Sequence, residues 1–345
     1  MIDSKDISVV VQGAIDKKLT HVTLASIRKH LPKAEIVLST WEDSNTDGLD
    51  YDILVESKDP GNVIHDLVHN VANNCNRQLL STQNGLEKAT RAYCLKLRSD
   101  LELKSANFLD YWGQFSEIDD KYKLFQHRIL VPTIYSREYS CETGRPTLFH
   151  PSDFWLFGLT EDMKGYFLET PLLNDVEACD YDVKYPNRMP YENLLWRYAP
   201  EQYFCFACTK RTFPDIQFED WSDWHRDNLE QSKAIVYNNF IFLGFQESGI
   251  YSKKHSGTMR NEHGIYGLIT FDKFRERYKE YCDPEYCFQS RGFRKESISN
   301  NREKLKEHLV RFRMKIKGAL AISSELFSIL HYFTKTIFEK KIDKR

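Results

Sequence analysis

The sequence predicts an α/β protein: an open, mostly parallel Rossmann-type sheet flanked by helices, with a basic helical extension at the C-terminal end. Three observations carry the prediction. The first hundred residues alternate short apolar runs with helical stretches, the order that builds βαβ units. The first run, "ISVVVQGAI" (7–15), is almost continuously apolar, as in a strand covered on both faces. With 41% hydrophobic and 28% charged residues, the 345-residue chain has an ordinary globular composition and the length of one enlarged domain or two.

After the first strand, a helix is expected over residues 22–30, with Thr20 near its N-cap and Pro32 beyond its end. "AEIVLSTWE" (34–42) and "DILVES" (52–57) read as the second and third strands. A polar helix is expected over 71–92, open to a break at Asn84-Gly85. The fourth strand is "YCLKLRSDLEL" (93–103), where Tyr93, Leu95, Leu97, Leu101 and Leu103 alternate. Further on, a helix is expected over 107–115, a strand over 121–136, and a block of aromatics around Ser152-Asp153 in "LFHPSDFWLFG" (148–158). Residues 170–200 read as loop or linker, 199–211 as a helix with Pro200 in its first turn, and 238–245 as a late strand. From about 300 to 341 the pattern is helical, amphipathic and basic. The division expected is a domain over 1–260, with halves 1–104 and 105–260, followed by an extension over 261–345.

A net charge of −2 provides no global field for nucleic acid. Residues 301–345 hold 12 Lys/Arg against 5 Asp/Glu, a surplus of seven, so the rest of the chain carries −9. A basic tail on an acidic body suits an anionic partner such as a membrane surface. The start, "MIDSKDISVVVQG", has no signal-peptide character, and no stretch approaches the roughly 20 apolar residues of a spanning helix. The eight cysteines are scattered, as reduced thiols would be. Cys205 and Cys208 have CxxC spacing without a second such pair, which favours buried thiols on a helix over zinc.

Chemistry concentrates at the strand ends. An unpaired buried carboxylate is costly, so Asp100, in Arg98-Ser99-Asp100, needs a cation, a hydrogen-bond network or an open cleft. The first strand ends at Gln12-Gly13 and the second at Thr40-Trp41-Glu42, so three polar ends face the crevice where open α/β sheets bind ligands. Neither GxGxxG nor a Walker-type phosphate loop is present. The crevice is nucleotide-like without an NAD or ATP phosphate loop.

The stretches "ISVVVQGAI", "IVLSTWE", "NRQLLSTQNGLEKATRAYCLKLRSDLEL", "FHPSDFWLFGL", "APEQYF" and "NNFIFLGFQESGIYSKK" occur in that order over roughly residues 5–255. Together they resemble the WavE lipopolysaccharide synthesis family. The resemblance implies a GT-A-like glycosyltransferase of lipopolysaccharide or related surface-glycan assembly. It implies a nucleotide-sugar donor, a lipid-linked glycan acceptor, and a cytoplasmic protein peripheral on the inner membrane through its basic C-terminal helices. GT-A enzymes carry Asp-x-Asp at the fourth strand end, where this chain has Arg98-Ser99-Asp100. Asp100 would then ligate Mg²⁺ or Mn²⁺, and Arg98 would contact phosphate or order the loop. An Arg98–Asp100 ion pair that pins the strand end is the competing reading.

On the same resemblance, Gln12 and Gly13 lie along the nucleoside, Glu42 accepts from a base N–H, Trp41 packs or stacks, and Arg77, between Asn76 and Gln78, reaches diphosphate. Glu42 as solvated loop and Arg77 as an ordinary surface arginine stay open. Inverting transfer needs a carboxylate base. The candidates are Asp153, between apolar rings, and Glu201, in a helix first turn, each alternatively a cap or turn residue. His150 is a possible assistant, and His255 and His263 are late histidines of the kind that ligate metal. The basic segment near the C-terminus can lie in a membrane interface or pack against protein. A catalytically inactive glycan-binding or scaffold protein is the alternative function, favoured by the absent first aspartate. A sugar nucleotidyltransferase lacks its Gly-rich loop here.

Overall fold

The computed structural model describes residues 2–67, 70–140, 144–184, 196–221 and 223–287. Its elements run β1 (Ile7–Gln12), α1 (Lys17–His30), β2 (Glu35–Trp41), β3 (Ile53–Ser57), β4 (Val63–Asp66), β5 (Val71–Asn73), α2 (Cys75–Lys88), β6 (Tyr93–Arg98) and β7 (Leu101–Leu103). Then come β8 (Ile129–Pro132), β9 (Trp155–Leu159), α3 (Thr160–Phe167), α4 (Asp175–Lys184), α5 (Pro200–Thr212), α6 (Arg226–Asn239) and β10 (Phe240–Leu243). The last are α7 (Phe245–Ser248), β11 (Ile250–Ser252), α8 (Ser256–Arg260) and α9 (Phe271–Tyr281).

Seven strands form one sheet in the order β10-β8-β9-β6-β1-β2-β3. β1 pairs in parallel with β2 and β6, β2 with β3, and β8 with β10. β9 alone is reversed, antiparallel to both β6 and β8. The mostly parallel sheet matches expectation, and every residue of β1 is buried, as its continuous apolar run requires. Because β9 runs backwards, its start lies at the edge where β1, β2, β6, β8 and β10 finish. That edge therefore collects the start of the segment after β8 and the end of the segment before β9 with the turns that follow β1 and β6.

Helix α2 lies close against the sheet at Gly85. A Cβ there would collide with Val10 Cγ1 and lie 3.2 Å from Ser39 Cβ. Glycine thus permits close packing, and α2 runs unbroken across Asn84-Gly85. Residues 71–73, read as helix from the sequence, form β5, antiparallel to β4. Helix α1 starts earlier than expected: Asp16 caps it, accepting from the amides of Lys18 and Leu19 at 3.2 and 3.0 Å. Thr20 lies inside the helix and returns the contact, its Oγ1 accepting from Asp16 N.

The strand expected over 121–136 shrinks to β8. The preceding backbone is held by side chains instead: Asn238 accepts from Asp119 N, Asn239 from Leu124 N, and Asp162 from the amides of Gln126 and His127. These polar side chains satisfy amides that a ladder would otherwise have paired. The helix expected over 107–115 is a 3₁₀ turn at Asn107–Tyr111, and the expected loop over 170–200 contains α4. Helices α3 and α6 were not anticipated from the sequence. Helix α9, past residue 260, shares an aromatic cluster with the main unit through Phe274, Tyr278 and Phe115. Many of the abundant aromatics serve the core: Phe108, Trp155 and Phe157 are buried together. The basic helical segment expected from about 300 lies outside the described residues.

Candidate functional site

The site begins where β6 ends. Arg98 pairs in register with Gln12, and the amide of Ser99 donates to Gln12 O at 3.0 Å. Gly13 turns the chain away from β1 at φ +112°, a conformation that L side chains rarely adopt. Beside it, Ser99 Oγ donates to Ala14 O at 2.7 Å, tying the loop after β1 to the turn after β6.

Asp100 is buried and paired twice. Arg98 Nε and Nη2 reach its two oxygens at 3.1 and 2.9 Å, and Lys254 Nζ reaches Oδ2 at 3.0 Å. Burial alone would raise its pKa, but the Arg98 and Lys254 charges outweigh that and hold the carboxyl below its ordinary value. The Arg98 guanidinium also lies on the Phe154 ring, 4.2 Å from its centroid. His255 meets the same ring edge-on at 5.0 Å, and its Nδ1 is 3.1 Å from Tyr135 Oη. Burial, then the Arg98 charge, lowers the His255 pKa. Of the two sequence readings, the geometry contains the ion pair, with Lys254 as an added cation.

The candidate metal ligands of the sequence have the following partners. Both oxygens of Asp100 are engaged by cations, and His255 faces Tyr135 and Phe154. His263 lies 3.8 Å from Glu262, whose carboxylate accepts from Thr133 Oγ1. Among the described residues no group of three or more His, Cys, Asp or Glu is arranged to hold a metal ion.

A second cluster adjoins the first through Phe154. Asp153 precedes Phe154 at the start of β9, and Arg98 N donates to Phe154 O at 3.3 Å. Lys96, fully buried in β6, donates its Nζ proton to the Asp153 carbonyl oxygen. Its register partner is Val10, the residue beneath Gly85, so Lys96 faces α2. Burial pulls the Lys96 ammonium down to about 8, against the nearby Asp153 charge. Glu201, half-buried in the first turn of α5, is pushed the other way. Burial foremost, then the Asp153 charge, raises it to about 8, against its helix-start amide, Arg137 and Arg98. Asp153 is itself buried, and its Oδ2 has no hydrogen-bond partner among the described residues.

The structure thus brings together Gln12, Gly13, Arg98, Asp100, Asp153 and Glu201. Gln12 is inward: its Oε1 accepts from Ser81 Oγ of α2 at 2.7 Å. Trp41 and Glu42 end β2 at the same sheet edge, two strands from β6, with Glu42 exposed. Arg77 is committed elsewhere, held by Asp59 at 2.7 Å through both Nε and Nη2 and by Asn62 at 2.5 Å. His150 lines a small cavity with Arg137, Glu138 and Tyr237. Cys205 and Cys208 are buried thiols of α5, their pKa values raised chiefly by burial.

Two functional candidates escaped the sequence reading. Lys96 carried a signal, a lysine amid the apolar residues of a strand and two positions before Arg98, hence on its face by the period of two. Lys254 carried none, being one of several charges in a polar loop far along the chain.

Among the described residues no helix is long and apolar enough to cross a membrane. A search of curated proteins finds no match. The sequence profile that matches the chain does so over residues 7–307, from β1 past the last described helix; the protein belongs to the WavE lipopolysaccharide synthesis family.

Proposed function

We propose that the protein is a GT-A-like glycosyltransferase that moves a sugar from a nucleotide-sugar donor to a growing lipopolysaccharide core or related surface glycan. One observation carries the reading: a cationic strand end, Arg98 with Lys254, meets two neighbouring carboxyl groups, buried Asp153 and half-buried Glu201, at the edge where the parallel strands finish. Cations there suit the leaving phosphates, and a carboxylate beside them suits the acceptor hydroxyl. The family membership supports the glycan context, and the open sheet with one reversed strand supports the GT-A-like assignment.

In this reading the bond from the anomeric carbon to the donor phosphate oxygen breaks as the acceptor oxygen bonds to that carbon. The hydroxyl proton passes to the Asp153 carboxylate, and the nucleotide leaves with the bonding electron pair. Glu201, its pKa raised chiefly by burial, holds a proton at neutral pH; Asp153 is taken as the base of an inverting transfer. Gly13, Trp41 and Glu42 border the nucleoside, with Gln12 bound inward to Ser81 beneath the strand end. The acceptor is lipid-linked, and the basic surplus after residue 300 draws the protein to the inner membrane surface.

The test is transfer of radiolabelled sugar from UDP-, GDP- and CMP-linked donors to extracted glycolipid. One donor should label the lipid, and Asp153→Asn should lower the rate by about 100-fold or more with the melting temperature unchanged. A folded protein that neither transfers sugar nor binds any nucleotide would instead be the inactive scaffold.

A further inference from the structure

We infer that the donor phosphates are bound without a metal ion, by Arg98 and Lys254, with Asp100 tying these two cations together. The inference rests on the glycosyltransferase reading and concerns the same crevice. Its ligand class is the diphosphate of a nucleoside diphosphate.

The argument is one of charge and geometry. A divalent ion on Asp100 would have to approach oxygens that already have Arg98 nitrogens at 2.9 and 3.1 Å and Lys254 Nζ at 3.0 Å. Three cationic centres would then crowd one carboxylate, and among the described residues no group of three or more His, Cys, Asp or Glu is arranged to offset the repulsion. A phosphate meets the opposite situation, since two cations against one carboxylate leave a surplus of one positive charge. The first lysine of "SKKHS", Lys253, is exposed beside Lys254 in sequence.

The donors also have capacity left. Arg98 spends Nε and Nη2 on Asp100, while its Nη1 makes no hydrogen bond among the described residues. Lys254 has half of its side-chain surface exposed and an ammonium with three donors, of which Asp100 engages one direction. The Phe154 ring under the guanidinium and the Asp100 fork hold the arginine in one orientation. Less conformational entropy is then lost when it meets phosphate oxygens. Asp100 remains ionised well into acid, because the cations hold its pKa below the ordinary value.

The experiment is calorimetric titration of the full chain with UDP, GDP and CDP, each in EDTA and in Mn²⁺, for wild type, Arg98→Met, Lys254→Met and Asp100→Asn. One nucleotide should bind with affinities within about threefold in the two buffers, and more weakly as salt rises. Arg98→Met and Lys254→Met should each weaken it by about tenfold or more, the scale of a lost charge-assisted hydrogen bond. Asp100→Asn should keep the EDTA-resistant binding, since its amide oxygen still accepts from Arg98 and competes less for the cations. Binding that needs Mn²⁺ and disappears in Asp100→Asn would overturn the inference and leave the glycosyltransferase reading standing. Nucleotide binding in EDTA that is indifferent to both cation variants would also overturn it. No binding of any nucleotide in either buffer, by protein with a cooperative unfolding transition, would overturn both.

Discussion

Replacing Lys96 by methionine isolates the energy of a charge buried in the sheet. The lysine is fully buried, donates to the Asp153 carbonyl, and titrates in the fold near 8 instead of 10.5. The gap, about 2.5 pH units at 1.36 kcal/mol each, is worth about 3 kcal/mol. Its sign follows from proton counts. Between about 8 and 10.5 the unfolded chain holds this proton and the folded chain does not, so stability rises with pH across that window. Below 8 both states hold it, and the fold bears the full burial penalty. Denaturant unfolding at pH 7, 8, 9, 10 and 10.5, for wild type and Lys96→Met, gives the difference curve. Wild type should gain about 3 kcal/mol on the variant between pH 7.5 and 10.5, while titrations common to both cancel. At pH 7 the two should lie within about 2 kcal/mol, because relief of the penalty offsets loss of a charged hydrogen bond worth roughly 1.5–3 kcal/mol. Parallel curves over the whole range would refute the reasoning and mean that the ammonium is hydrated.

Glu138→Gln should destabilise the fold by about 3–5 kcal/mol at neutral pH, since Arg277, 2.7 Å away, would lose its buried charged partner and keep, among the described residues, only the half-exposed Glu280. Burial would raise the Glu138 pKa, but the Arg277 charge overrides it and lowers the pKa below the ordinary 4.5. The stabilisation is therefore complete above 4.5 and disappears as pH falls through the lower folded value, so the variant and wild type should converge in acid unfolding. Gly85→Ala sets a packing cost of about 1–3 kcal/mol from the collision with Val10 against a helix gain of about 1 kcal/mol. A net loss of about 1 kcal/mol in chemical denaturation is expected, and a gain would show that α2 shifts freely. Arg77→Ala should change stability by at most about 1 kcal/mol, because its Asp59 partnership is a surface one, and should leave nucleotide affinity within twofold by calorimetry.

What the sequence reveals depends on how local the cause is. β1 and β2 are legible because burial on both faces marks a strand within a few residues, and α5 because Pro200 marks a helix start. The reversal of β9 is not legible: "WLFGL" is equally apolar in either direction, and only its neighbours in space decide its sense. Helix α6 hides behind a histidine cap, His225, which takes the place of the usual Ser, Thr, Asp or Asn. In the site, Arg98, Asp100 and Asp153 stand out as charges set in apolar surroundings. Their partners do not, since Lys254 meets Asp100 from a turn more than 150 residues away. The motif alone left metal ligand and ion pair open, and gave no sign of the second cation on Asp100.

The reversed strand also bears on how members of such a family could diversify. β8 leaves the sheet at Pro132 and β9 re-enters it at Trp155, on adjacent strands and at one edge. The excursion over 133–154 thus starts and finishes at neighbouring anchor points. Lengthening it would add only a slowly growing closure entropy and would require no change of strand order. Its C-terminal end carries Asp153 and Phe154, while Lys96 and Arg98, which hold them, belong to the ladder of β6 inside the sheet. Changes of length there would leave these holding contacts on the sheet in place.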